Sequence, residues 1–425
     1  GIFTFEKCHA VSHCHGSGGW CWCRFLVVYC LVEIRLHMDT ADLKRTALLR
    51  AASVYSQQGE GEETDEVPEL LGAETHTHPR KSKKTSLQEY APQKSDDCFA
   101  TALEVDVWVQ DGCASGTIRT YYTPPKSDVC KGCTVIVCHH GAGAGALSFA
   151  LLARDITAMT DGEVGVLAYD CRGHGKTRFS EERRTDMSLE ALRGDLEQLL
   201  MTMFPDDETR PNFILVGHSM GGAVVVAAAH SLQHMDKACI SGVAMIDIVE
   251  GTSLQVLPEM SKVVCRRPAG FSSLEDAIRW HVQSHSIRNL ESARRSVPSL
   301  LYLADETSKL PWRWRTDLMA TEPFWQGWFK GLSSSFLSLR TARMLILAQS
   351  DNLDRELMIG SMQGKFQLVV SPHAGHYVQE VRILSATDAG YATRYGRKHR
   401  PFLAAQRKAA ASDPRAEASG ATIAT

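Results

Sequence analysis

The pattern Gly217-x-Ser219-x-Gly221 constrains the fold of this chain more than any other feature of its sequence. An apolar run at 213–216 comes directly before it and predicts a buried β-strand, and small residues at 221–229 continue it as a helix. A serine flanked by glycines at a strand-to-helix turn is the pattern of a nucleophile elbow, which exposes the hydroxyl at the end of the strand. Ser219 is therefore the candidate nucleophile.

Strand and helix patterns alternate on both sides of this segment. Short apolar runs with helical periodicity between them predict buried strands at 133–138, 164–169, 213–216 and 240–246. Two strands of alternating polarity, near 103–109 and 117–122, come first and predict an antiparallel start. This order predicts an α/β chain with the α/β-hydrolase fold, a mostly parallel central sheet with helices on both faces.

The alternation stops after the sixth predicted strand. The interruption, about 249–343, contains five of the eight tryptophans. This composition predicts an aromatic-rich lid insertion, whose rings either line the substrate site or pack a core of their own. The sheet resumes with apolar runs at 344–348 and 366–370.

The domain organisation follows from composition. Residues 1–37 precede the first Met and are interpreted as a non-native or disordered extension; their cysteine and histidine spacing fits no zinc pattern, and we predict no metal site. Residues 38–100 are predicted to form an N-terminal helix and a disordered linker, because large apolar residues are few. The hydrolase domain is predicted over 101–396, and a disordered tail over 397–425.

Charge and cysteine usage exclude several classes of partner. The net charge of -3 gives no reason to expect nucleic acid or an anionic membrane, and no apolar run approaches the roughly 20 residues of a membrane span. The thirteen cysteines show no disulfide pattern. Several, such as Cys138 and Cys239, lie in apolar runs, which predicts buried reduced thiols in a cytosolic or nuclear protein.

A small-residue loop at 140–143 follows the third predicted strand. In this fold a backbone N–H from that loop and the N–H after the nucleophile together bind the oxyanion. The candidate donors are therefore the backbone amides of Met220, Ala142 and Gly141. Small side chains suit the loop because larger ones would block the approach of the substrate carbonyl.

The general base and the acid of a catalytic triad are expected after the nucleophile in the chain. His376, after the last predicted strand, is the best placed of the seventeen histidines, with His373 as its rival. Four histidines precede the serine and are interpreted as loop-shaping or core residues: His139, His140, His174 and His218. Three carboxylates follow the predicted strands at the right places: Asp247, Asp351 and Asp354. Spacing alone does not decide among them.

Eight segments resemble the protein phosphatase methylesterase family. They are HHGAGAGALSF (139–149), DCRGHGKT (170–177), LVGHSMGGA (215–223), MIDIVEGTS (245–253), IRNLESAR (287–294), FWQGWFKGLS (324–333), LDRELMIGSMQGKFQ (353–367) and AGH (374–376). MIDIVEGT and IGSMQGKFQ are the most specific of these, since general lipases and esterases do not share them.

The resemblance implies a serine carboxylesterase with a Ser-His-Asp triad and no cofactor. Its implied substrate and partner is the C-terminal tail of the type-2A protein phosphatase catalytic subunit, from whose terminal leucine it would remove a methyl ester. It assigns the catalytic acid to Asp247, beside Ser219 and His376, and implies a cytoplasmic and nuclear location.

Two other functions stay open. A general small-ester hydrolase would use the same triad without preferring a peptide methyl ester. A non-catalytic phosphatase-binding regulator is the second alternative, because the sequence after Glu380 departs from the family's closing helix. The acidic loop of the family is also short or missing around 298–310.

Overall fold

The computed structural model of the protein describes residues 87–381, apart from 109–113, 128–131, 236–237, 349–352 and 372–373. The extension predicted at 1–37, most of the segment 38–100 and the tail at 397–425 lie outside the described residues. So does the stretch from 382 onward, where the family's closing helix is not recognised in the sequence.

A nine-stranded sheet organises the molecule. The described strands are β1 (Thr101–Trp108), β2 (Ala114–Thr123), β3 (Thr134–His139), β4 (Val164–Tyr169), β5 (Arg178–Phe179), β6 (Asn212–His218), β7 (Ile240–Ile246), β8 (Leu301–Leu303), β9 (Trp312–Trp314), β10 (Ala342–Leu347) and β11 (Gln367–Val370). The sheet runs β1-β2-β4-β3-β6-β7-β10-β11, with β5 paired to β2, while β8 and β9 form a separate pair.

The strand directions follow the predicted pattern. β2 is antiparallel to β1 and β4, and the neighbours from β4 to β11 are all parallel. The prediction of a mostly parallel sheet with an antiparallel start is confirmed. The short β5 was not predicted, because two residues are too few to show a period. The sixth predicted strand is therefore β7, and the insertion predicted after it follows β7.

Helices cover both faces of this sheet. They are α1 (Ala150–Met159), α2 (Glu181–Thr185), α3 (Leu189–Met203), α4 (Met220–His234), α5 (Glu250–Cys265), α6 (Leu274–Gln283), α7 (Leu290–Ser296), α8 (Trp325–Phe329), α9 (Leu332–Ser338) and α10 (Arg355–Met362). The apolar residues of α3 and α4 join one core cluster and those of α1 join another. None of the helices that the structure describes is long and apolar enough for a bilayer crossing.

The central strands supply both cores through their period of two. In β3, Val135 and Val137 pack with α3 and α4, while Ile136 and Cys138 face the side of α1. All four residues are buried, as expected for a strand covered on both faces. Cys239, in contrast, is exposed before the start of β7, so the prediction of its burial is wrong.

The insertion between β7 and β10 has a core of its own. Trp280, Trp312 and Trp314 pack there around Phe271. Trp325 and Trp328, from α8, lie in the main core beside α4 instead. These five rings therefore pack in hydrophobic cores, three in the core of the insertion and two in the main core.

Residues 87–100, predicted as linker, pack against this insertion. Cys98 and Phe99 are buried, and the backbone N–H of Gln93 donates to the carbonyl oxygen of Arg294 at 2.9 Å. Arg295 donates to the carbonyl oxygen of Lys94 at 2.6 Å. The linker thus ends earlier than predicted, because its partners lie about 200 residues away along the chain and leave no local signal.

Candidate active site

Ser219 occupies a sharp turn between β6 and α4. Its backbone has φ 52° and ψ -122°, a conformation that L residues other than glycine rarely adopt. A Cβ on Gly217 would overlap the carbonyl oxygen of Gly221, and one on Gly221 would overlap that of His139. The two glycines therefore let strand and helix meet closely enough to form the elbow, as the sequence predicts.

The structure joins Asp247 and His376, 129 residues apart in the chain. His376 Nδ1 lies 2.9 Å from Asp247 Oδ2, and the other carboxylate oxygen accepts the backbone N–H of Ala348 at 2.8 Å. Asp247 is strained at φ 50°, where its own N–H donates to the carbonyl oxygen of Ile346. These contacts aim the carboxylate at the imidazole, and within the described residues no hydrogen bond engages Nε2.

Of the rival residues, Asp354 is the one within the described part of the chain. It begins α10, where its Oδ1 accepts the N–H of Leu357 at 2.9 Å and its Oδ2 accepts the hydroxyl of Ser333. Asp354 is thus a helix cap rather than a partner of His376. Asp351 and His373 lie outside the described residues.

His218 brings the nucleophile's turn and the loop of the base together. Its Nε2 lies 2.9 Å from the carbonyl oxygen of His376, and the centroids of the two rings are 4.6 Å apart. Within the described residues, Ser219 Oγ has no hydrogen-bond partner, so no direct bond joins the hydroxyl to the imidazole of His376. Catalytic hydrogen bonds are often loose before substrate binds.

The loop at 140–143 lies directly against the elbow. A Cβ on Gly141 would stand 2.8 Å from His218 Nδ1 and 3.1 Å from the Cβ of Ser219. Met220 begins α4, and the first amides of a helix have no acceptor within it. The backbone amides of Met220, Ala142 and Gly141 therefore lie on the two walls beside the nucleophile, where oxyanion donors are predicted.

Two buried histidines hold this loop in place. His174 Nε2 accepts the backbone N–H of Gly143 at 2.8 Å, and His140 Nε2 accepts that of Cys171 at 3.0 Å. In each ring Nδ1 lies within 2.9 Å of a carbonyl oxygen, so one neutral tautomer satisfies both nitrogens. Burial lowers the pKa of each to about 3, and repulsion from His139 adds to this at His140, as repulsion from His140 does at His174. The interpretation of these histidines as loop-shaping residues is supported.

His140, Cys171 and His174 are also close enough to be considered as metal ligands. The imidazole nitrogens of both histidines are already engaged with backbone groups, which leaves no free lone pair for an ion. The cluster therefore fits a structural role. The cysteine-rich stretch near the N-terminus lies outside the described residues.

Sequence reasoning missed the part played by His218. It lies one residue from the nucleophile and was grouped with the core histidines. Its burial agrees with that grouping, but its bond to His376 depends on a residue 158 positions away. Only its place inside the elbow motif could have singled it out.

Known proteins resemble this chain over most of its length. Residues 136–386 match the profile of the Alpha/beta hydrolase family. Protein phosphatase methylesterase 1 of Cryptococcus neoformans var. neoformans serotype D (strain JEC21) is 43% identical over 350 residues, which cover 75% of this chain and 82% of that protein. The protein of the same name from Yarrowia lipolytica is 40% identical, covering 74% of each chain.

A solved structure supports the fold alone. E-2-(acetamidomethylene)succinate hydrolase superposes with a TM-score of 0.50 at 18% identity, over 69% of this chain and 97% of its own. The family itself is decided by the matches in sequence, which span the elbow, the Asp247 strand and the His376 loop. The chain belongs to the protein phosphatase methylesterase family of α/β hydrolases.

Proposed function

We propose that this protein removes the methyl ester from the C-terminal leucine of the type-2A protein phosphatase catalytic subunit. Membership of the methylesterase family supports the reaction class. The observation that supports catalysis by this chain is the Asp247–His376 pair beside a serine in an elbow conformation. The substrate tail is inferred from the relatives' name, protein phosphatase methylesterase 1, and from the family resemblance of the sequence.

The proposed reaction begins with proton transfer from Ser219 to Nε2 of His376. The serine oxygen attacks the ester carbonyl, and the backbone amides of Met220 and Ala142, with Gly141 beside them, bind the resulting oxyanion. The tetrahedral intermediate collapses, methanol leaves with the proton from His376, and an acyl-enzyme remains. Water, deprotonated by His376, then releases the leucine carboxylate.

Asp247 has a positioning and electrostatic part in this scheme. Its Oδ2 accepts Nδ1–H of His376, which leaves the lone pair on Nε2 for the serine proton. The carboxylate also stabilises the imidazolium that forms. Because acyl transfer needs only these groups, the proposed reaction uses no cofactor.

The test is to incubate the purified chain with methylated type-2A phosphatase and follow the C-terminal methyl group by mass spectrometry. The wild type is expected to remove it, and Ser219→Ala is expected to lose activity by roughly 10⁴-fold or more. Ser334→Ala, at an exposed serine on α9, is the matched control and should keep full activity.

Two results would contradict the proposal. Rapid hydrolysis of short acyl esters with no reaction on the methylated phosphatase would favour a general esterase. Capture of the phosphatase by a wild-type protein that does not react with a fluorophosphonate probe would favour a non-catalytic regulator.

The same proposal includes a cytoplasmic and nuclear location. It is supported by Cys138 and Cys171, which are buried and free, as in proteins of reducing compartments. Fluorescence microscopy of the tagged full chain would test it, and accumulation in a secretory compartment would contradict it.

A further inference from the structure

Arg267, just after α5, has a guanidinium group that the catalytic scheme does not use. Its Cζ lies 3.7 Å from the centroid of the Trp314 ring, a close cation–π contact. Among the described residues, no carboxylate forms an ion pair with it and no acceptor receives a hydrogen bond from its side chain. Burial lowers the pKa of the group from its ordinary value, and Tyr377 alone opposes this.

The charge of the arginine acts on residues next to the catalytic groups. Its charge lowers the pKa of His174, which holds Gly143 in the oxyanion loop, and acts on Tyr377, the residue after His376. The guanidinium group therefore acts on residues from both sides of the site.

The chain that follows Trp314 covers the same loop. Thr316 Oγ1 donates to the carbonyl oxygen of Gly173 at 3.0 Å, next to His174. A Cβ on Gly143 would stand 2.8 Å from Cδ1 of Leu318. The ring on which Arg267 stacks thus belongs to the segment that forms the wall of the site above the oxyanion loop.

The other rings that contact Trp314 are uncharged at neutral pH. Trp314 contacts Phe271 and Trp280, with ring centroids 5.3 and 6.2 Å away. His281, 5.7 Å from Trp314, has its pKa lowered to about 4 by burial and is neutral near pH 7. These rings shield a charge from water and offer few dipoles in its place. An anion that pairs with Arg267 is therefore bound more strongly than at an open surface.

We propose that Arg267 binds a carboxylate of the substrate's peptide tail; this rests on the proposed function. A guanidinium fork matches a carboxylate with two parallel hydrogen bonds. The scissile methyl ester is itself uncharged. The carboxylate therefore comes from an acidic side chain close to the esterified residue or from the C-terminal carboxylate that the reaction releases.

The first arm of the test concerns the acidic side chain. Peptide methyl esters with Asp or Asn at each of the three positions before the terminal residue are compared as substrates of the wild type, Arg267→Gln and Arg267→Lys. At one position the wild type should prefer Asp over Asn roughly 10- to 100-fold in kcat/KM, and Arg267→Gln should lose that preference. Arg267→Lys should keep part of it and, because it retains a cation over Trp314, serves if the glutamine variant does not fold.

The second arm concerns the product. If the released carboxylate is the ligand, the free-acid peptide inhibits the wild type better than its C-terminal amide does, and Arg267→Gln removes this difference while the Asp and Asn esters react equally in all variants. Arg279→Gln, at a surface arginine paired with Asp276 in the same insertion, should behave as wild type in both arms.

The outcomes separate the two proposals. If the wild type hydrolyses peptide methyl esters and Arg267→Gln changes neither the Asp preference nor the inhibition by free acid, the carboxylate site is overturned and the proposed function stands. If the wild type cleaves p-nitrophenyl acetate but no peptide methyl ester, both proposals are overturned.

Discussion

His218 Nε2 donates to the backbone carbonyl oxygen of His376 at 2.9 Å. The residue before the nucleophile thus fixes the loop that carries the proposed general base. Burial drives the pKa of His218 well below its usual value, which keeps the ring neutral, and its Nδ1 has no partner among the described residues. The same nitrogen faces Gly141 of the oxyanion loop. One imidazole therefore touches all three loops of the site.

We predict that His218→Ala lowers kcat about 10-fold with little change in KM, because one hydrogen bond worth about 1 kcal/mol orients His376. His218→Gln, whose amide can donate to the same carbonyl, should recover part of the loss. The measurement is steady-state kinetics on p-nitrophenyl acetate together with the rate of fluorophosphonate labelling. Wild-type kcat in the alanine variant would contradict this positioning role.

Asp247→Asn should reduce kcat by roughly 10³- to 10⁴-fold, because an amide in this place favours the wrong tautomer of His376. Asp354→Asn is the matched control, since this carboxylate caps α10 and the asparagine also caps well. It should keep wild-type kcat. Comparable losses in the two variants would show that the assignment of the acid is wrong.

Gly217→Ala should prevent correct folding or destabilise the protein by several kcal/mol, because the new methyl group overlaps the backbone of Gly221. Gly194→Ala is the contrasting change. Gly194 lies inside α3 with nothing within 4 Å of a built Cβ, so alanine should stabilise the protein by about 0.5–1 kcal/mol. Urea denaturation followed by circular dichroism measures both, and a midpoint for Gly217→Ala equal to that of the wild type would contradict the steric explanation.

Protonation of His281 should make the protein less stable in acid. Burial lowers its pKa to about 4, whereas an unfolded histidine titrates near 6.5. Between these values the unfolded chain binds a proton that the folded chain does not, so the contribution is present above pH 6.5 and is lost as pH falls towards 4.

We therefore expect His281→Gln to show a shallower fall in the free energy of unfolding between pH 6.5 and 4.5, with a difference of about 2 kcal/mol across the range. Denaturant titrations at several pH values give the slope for each protein. Parallel curves for the wild type and the variant would mean that His281 is not the responsible group.

Several parts of the fold could be predicted because they depend on residues that are close together in the sequence. The four residues of β3 from Val135 to Cys138 are all buried, and an uninterrupted apolar run predicts a strand covered on both sides. β5 could not be predicted, since two residues have no period and the strand exists only through its pairing with β2. The packing of residues 87–100 was missed for a related reason, because Arg294 and Arg295 supply their partners from the insertion.

The residues of the site likewise fall into those that local sequence predicts and those that depend on distant contacts. Motif and chain order alone identified Ser219, and they preferred His376 among the histidines. They left the acid open, and the family resemblance rather than spacing favoured Asp247. In the structure the parallel pairing of β7 with β10 brings Asp247 beside Ala348 and His376, whereas Asp354 begins α10.

By itself the sequence determined the order of strands and helices, the elbow at Ser219 and the family, because these depend on short-range periodicity, glycine sterics and motifs of a few residues. The tertiary structure decided which carboxylate meets His376, that His218 holds the base, and that Arg267 stacks on Trp314 without an acidic partner among the described residues. Each of these depends on contacts across 47 or more residues of chain, and such contacts are set by sheet register and packing rather than by local preference.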